Sequence, residues 1–175
     1  MEEERNERHT TALHEAAHAV AASAQCLHPY KVSIIPGAGY DGMMRHNGYP
    51  ANGTAFTCLA GYAFEHIHEL SDEWEFNLDV IQGGEEFAIG PEGERWDVPQ
   101  DFKDALRSGE HLETVVEELF PFLQARCVEK KIRRLAGELV RREEITSEDS
   151  DFDRLIFSRR ASKMFRLRNW KRQAL

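Results

Sequence analysis

Apolar residues fall at three- and four-residue intervals from the start of the chain. Leu13, Ala16, Ala17, Val20 and Ala21 follow Thr10 and Thr11, either of which suits an N-cap, so the spacing predicts a buried helix over 10–26. A β-branched run, KVSIIP at 31–36, reads as a strand. A turn bearing Gly37, Gly39, Asp41 and Gly42 then leads to a partner strand at Met43, Met44 and Arg45. Over 54–70, Phe56, Leu59, Ala60, Ala63, Phe64 and Ile67 line one side of a second core helix, and Gly61 marks a place where another backbone can approach closely. Helical spacing returns over 101–107, 110–126, 128–143 and 150–164, with Thr146 or Ser150 suited to cap the last. The expected fold is α+β, mainly α with a small β-sheet and a helical C-terminal half. No fixed period recurs, which sets solenoids and propellers aside.

Length adds a bound: 175 residues suit one domain and can bury a core without staples. Three cysteines, Cys26, Cys58 and Cys127, are odd in number and lack CxxC spacing, so they read as buried thiols rather than a disulfide framework. No run approaches the length of a membrane span, and the charged MEEERNERHT start has no apolar signal core, so a cytoplasmic location is expected.

Charge divides the chain further. Residues 158–175 carry seven basic side chains and no acidic one, against a net charge of −9 for the whole. Phe165, Leu167 and Trp170 stand among them, so this tail is expected to fold back on the acidic body or to contact an acidic partner, a nucleic acid or a membrane surface. Between Glu65 and Gln100 lie eleven acidic residues and one basic, Arg95, interrupted by Gly83-Gly84, Gly90-Pro91 and Pro99. The expected organisation is an N-terminal extension at 1–9, a domain at 10–157 with an acidic insertion near 71–100, and the basic tail.

Chemistry enters with HEAAH at 14–18, inside the first predicted helix. Residues four apart lie about 40° apart around a helix, so His14 and His18 point the same way and can grip one Zn²⁺. Glu15 lies about 100° round from His14, beside the metal rather than on it, where it can take a proton from an attacking water and pass it to a leaving amine. With 8 histidines in the chain, chance supplies about 0.04 such pentapeptides, and two His and a Glu are costly in an apolar helix without a task. An extended HExxHxxGxxH site is excluded, since Ala21 and Ala24 occupy its last two marked positions. His66 and His68 point to different sides of their helix and are expected at the surface. His9, His28, His46 and His111 have no ligand-like spacing and are expected in solvent. The HELSD run at His68, Glu69 and Asp72 is a weak echo of the same motif.

These residues resemble the peptidase domain of the FtsH-type zinc metalloprotease family. TALHEAAHAV at 11–20 looks like its zinc helix, KVSIIP at 31–36 like its following strand, LAGYAFE at 59–65 like its LAGRAAEE helix, and IRRLAGELVRREE at 132–144 like its closing helix. The resemblance spans most of 10–157 and implies an Asp ligand in a pattern like NDLxxA. QDFKDA at 100–105 fits it best and points to Asp101; Asp79, Asp97, and Glu65 or Glu69 stand as alternatives. Ala17 replaces the family's usual glycine, and no GxxxxGK[ST] loop is present, so ATP-driven unfolding is not expected. The implied activity is zinc-dependent hydrolysis of extended or unfolded polypeptide by His14, His18, Asp101 and Glu15. The substrate would bind along 31–36 as an added strand, delivered by a separate unfoldase or taken already extended. A homo-oligomer is a further implied partner. Two other classes remain open: a catalytically silent zinc-stabilised binding module, and a regulatory peptidase specific for one repressor.

Overall fold

The computed structural model describes residues 2–37, 41–48, 53–68, 70, 87–89, 95–97, 99–157, 162, 163 and 165. Its first helix, α1 (Glu2–Ala24), starts eight residues before the predicted one, because Glu and Arg are good helix formers that carry no apolar period to reveal them. Residues 2–9 thus continue the helix rather than precede it. From Ala12 to Ala24 apolar side chains are buried on every face, and alanine lets neighbouring elements come close. The chain packs around this helix, above all α3 (Ala60–Ile67) and α6 (Arg126–Arg142).

The remaining elements in order are β1 (Pro29–Ser33), β2 (Met43–His46), α2 (Ala55–Cys58), β3 (Phe87–Ile89), β4 (Arg95–Asp97), α4 (Gln100–Arg107), α5 (Leu112–Leu123), β5 (Glu144–Thr146) and α7 (Phe152–Ile156). The domain is mainly helical with a small antiparallel sheet of order β2-β1-β5. Val32 pairs with Met44 on one side and Ile145 on the other, and Lys31 meets Glu144 at 2.6 Å. The expectation that 31–36 receives a substrate strand is corrected here: β1 is the central strand and both its edges are taken, while Ile34 N–H donates to Glu143 O at 2.8 Å. The edges belong to β2 and β5. A second antiparallel pair, β3 with β4, lies within the acidic stretch.

The helix expected over 54–70 breaks at Leu59 (φ −85, ψ −9) into one-turn α2 and the longer α3. Of the cysteines only Cys58 is buried; Cys127 is half-buried, and Cys26 is exposed at φ 63. The histidines also depart in part from expectation. His46 and His68 are half-buried rather than solvated or at the surface: the His68 ring lies against Phe64, and its Nδ1 faces Arg133 at 3.3 Å. No helix among the described residues is long and apolar enough to cross a membrane.

The C-terminal elements are fastened by charge and by one aromatic contact. Arg142 donates to Asp151 through both Nη atoms, at 2.9 and 2.7 Å, holding the start of α7 to the end of α6. Phe165 stacks edge-on to Phe56, ring centres 5.1 Å apart, against the aromatic pair Phe56–Phe122. That contact accords with a tail folded back on the body; residues 166–175 lie outside the described residues.

Phe165→Ala is expected to lower stability by ~1–3 kcal/mol, less than the ~3–5 kcal/mol of a fully buried aromatic truncation because the ring is half-buried. A thermal melt indistinguishable from wild type would show that the contact contributes nothing. The Arg142 bond holds the Asp151 carboxyl down at about 2. Its contribution is therefore complete above the unfolded value of ~3.9 and is lost as pH falls towards the folded one. Asp151→Asn is expected to destabilise at neutral pH and to flatten the acid limb of stability between about pH 5 and 2; denaturant midpoints against pH check both.

Candidate metal centre

One turn of α1 carries His14 and His18 side by side, and the Nε2 atoms of the two rings stand 2.9 Å apart. Asp101, in the first turn of α4, brings its Oδ2 to 3.4 Å from His18 Nε2 and 3.6 Å from His14 Nε2. Three side chains proposed from sequence to share an ion therefore converge across 83 residues of chain. The alternatives fall elsewhere. Glu65 stands behind His14, Asp97 lies in β4 with its side chain outside the described residues, and Asp79, Glu69 and Asp72 are also outside them.

The far nitrogen of each ring fixes what the near one can do. His18 Nδ1 donates to the Thr57 carbonyl at 2.7 Å, and because a carbonyl can only accept, the proton sits on Nδ1 and the Nε2 lone pair faces the cluster. His14 Nδ1 donates likewise to Glu65 Oε1 at 2.8 Å. Glu65, an alternative ligand by sequence, takes its place behind the ring, orienting it as carboxylates do at metal-bound histidines. The signal for this was present, since Gly61 and Glu65 are one helical turn apart on α3. Gly61 brings the α3 backbone so close that a Cβ there would lie 2.5 Å from His14 Nε2. The Tyr62 ring meets the His14 ring at right angles, centres 4.6 Å apart, and also packs on Phe102 beside Asp101.

Two imidazole Nε2 atoms 2.9 Å apart, with both Nδ1 protons committed elsewhere and a carboxylate oxygen beside them, form a site that calls for a shared cation, a proton or a metal ion. The electrostatics agree. Burial opposes charging His14, but its bonds to Asp101 and Glu65 outweigh that and push its pKa up to about 10. His18 is raised too, burial again opposing and the Asp101 charge prevailing. Although burial acts to raise Asp101, the histidines hold it well below the usual carboxylate range. The spacing suits a metal as the cation. Donors at ~2.0–2.1 Å around a tetrahedral ion stand about 3.3 Å apart, and the three separations here are 2.9, 3.4 and 3.6 Å. Two imidazoles with one carboxylate are a donor set that Zn²⁺ accepts with a fourth position left open.

Glu15 is the next residue round the helix and is 93 % buried. Burial lifts its carboxyl to about 7, against the opposing pull of His18 and His14. Gly42, at the entry to β2, lies flat on this side chain: a Cβ there would stand 2.6 Å from Glu15 Cγ and 2.8 Å from Oε1. Gly42 and the Thr57 carbonyl had no signature in the sequence. A backbone acceptor has no residue type, and a glycine amid Gly37, Gly39 and Gly42 reads as a turn.

No protein-family model, curated protein or solved structure matches the chain, so the donor set and its surroundings carry the functional assignment.

Gly61→Ala places a methyl group inside contact distance of three His14 ring atoms, and α3 cannot retreat without loosening the core around α1. Zinc affinity is expected to fall by about tenfold or more, comparable to the loss of an outer partner, measured by competition with a chromophoric chelator. Unchanged affinity would show that His14 does not hold the ion.

Proposed function

We propose that this chain is a zinc-dependent endopeptidase that hydrolyses peptide bonds in extended polypeptide. The observation that carries it is the convergence of His14 Nε2, His18 Nε2 and Asp101 Oδ2 with the buried Glu15 carboxylate beside them on the same helix. His14, His18 and Asp101 are the residues that would hold the ion. Zinc bound there supplies a Lewis acid that polarises the scissile carbonyl and acidifies water.

Glu15 does the proton work. Burial favours the protonated form of this carboxyl, which strengthens it as a base for accepting a proton from the attacking water and delivering it to the leaving nitrogen. Gly42 leaves that carboxylate one tight position against the backbone. Glu65 and Thr57 keep the imidazoles in the tautomer that presents Nε2.

The entry to the edge strand β2 lies against Glu15, so an extended substrate is taken as adding to β2 rather than to β1. Main-chain pairing of this kind tolerates varied side chains. The similarity of HEAAH, KVSIIP and LAGYAFE to the FtsH-type peptidase segments supports the same activity. This chain holds no phosphate-binding loop, so the substrate is a flexible segment, an unfolded protein, or one handed over by a separate unfoldase. We assign the reaction to the cytoplasm.

The test is cleavage of an unstructured protein by the metal-loaded chain, with and without chelator. Glu15→Gln is expected to keep zinc and to lose activity by ~10²–10⁴, since the amide retains the volume but not the base. Activity within twofold of wild type would remove Glu15 from the mechanism. Absence of cleavage by zinc-loaded wild type across several unstructured substrates would favour a metal-stabilised binding module instead.

A further inference from the structure

Helix α2 has four residues, and its third, Thr57, supplies the carbonyl that fixes the His18 tautomer. So short a helix has almost no stability of its own, because the ordering cost of the first turn is set against very few hydrogen bonds. Something else must hold that carbonyl in place. The polar contacts around α2 converge on two residues far from it in sequence. Gln25 Oε1 accepts from the Thr57 hydroxyl at 2.8 Å and from the Thr54 hydroxyl, and Thr54 Oγ1 in turn accepts from Thr57 N–H at 3.2 Å. Glu110 Oε2 accepts from Ala55 N–H, the first amide of the helix, at 2.6 Å.

We propose that Gln25 and Glu110 are positioning residues for the metal ligand His18, clamping α2 so that the Thr57 carbonyl stays on His18 Nδ1. The inference rests on His18 being a metal ligand. Gln25 is the first residue after α1, the helix that carries His14 and His18. Glu110 lies in the connection between α4 and α5, just beyond the helix that carries Asp101. The clamp thus ties the carbonyl to both ligand-bearing helices. A shift of α2 by about 1 Å takes the Nδ1–H···O bond from 2.7 Å beyond hydrogen-bonding range. The ring can then rotate, or move its proton to Nε2 and close the lone pair to metal.

The test measures Zn²⁺ affinity by chelator competition and the visible absorption of the Co²⁺-substituted full chain. Gln25→Ala is expected to weaken Zn²⁺ binding ~10–100-fold and to alter the Co²⁺ band, as loss of an outer partner does. Gln25→Glu, which keeps an accepting oxygen, should restore both. Glu110→Ala, at an exposed position, carries the same expectation and serves if Gln25→Ala does not fold. Phe152→Ala, a core truncation away from the site, controls for stability alone and should lower the melting temperature while leaving affinity and spectrum unchanged. Wild type binding one ion while the Gln25 and Glu110 variants bind it within threefold, with an unaltered band, overturns the clamp and leaves the metal centre standing. Wild type binding no ion overturns both.

Discussion

The structure depends on α1 being at once the most buried apolar element and, within its buried stretch, the carrier of His14, Glu15 and His18. From Ala12 to Ala24 this helix is enclosed by its neighbours, so His14, Glu15 and His18 are drawn out of water with it. An imidazole or carboxylate withdrawn from water costs several kcal/mol unless it is paired. Every polar atom that α1 brings inside therefore requires a partner from an element packed on it. For the two imidazoles, Thr57 on α2, Glu65 on α3 and Asp101 on α4 meet that requirement.

Those partners share a division of labour. The Nδ1 side of each ring is satisfied by a group that can only accept, which leaves both Nε2 atoms facing each other and Asp101. Satisfying the outer side thus creates the need on the inner side. The glycines serve this arrangement from without: Gly61 on the face of His14 and Gly42 on Glu15 bring bare backbone where a methyl group would collide with the site.

The helical face of HEAAH was legible because a period of 3.6 and a residue type coincide there, and Gly61 was legible as a close approach. Asp101 was reachable only through its resemblance to a family pattern, as one aspartate among several in an acidic stretch. Glu65 is visible in sequence as a residue but not in role, since a carboxylate near a histidine can stand on either side of the ring and spacing does not say which. The Thr57 carbonyl left no trace. Among the elements, β5 was missed because three residues directly after a long helix carry no period. With β5 unseen, β1 looked like an edge strand available to substrate, although it lies at the centre of the sheet.

His18 and Asp101 lie about 80 residues apart in sequence, and the ion proposed between them would close a loop of that length, much as a disulfide would. Closure entropy grows only with the logarithm of loop length, ~0.6 kcal/mol per doubling. The stretch between α3 and α4 can therefore lengthen or shorten by many residues with little effect on that closure. A change in the length of that acidic segment is thus compatible with an ion cross-link at the proposed site, and the length is free to be set by whatever the segment meets outside.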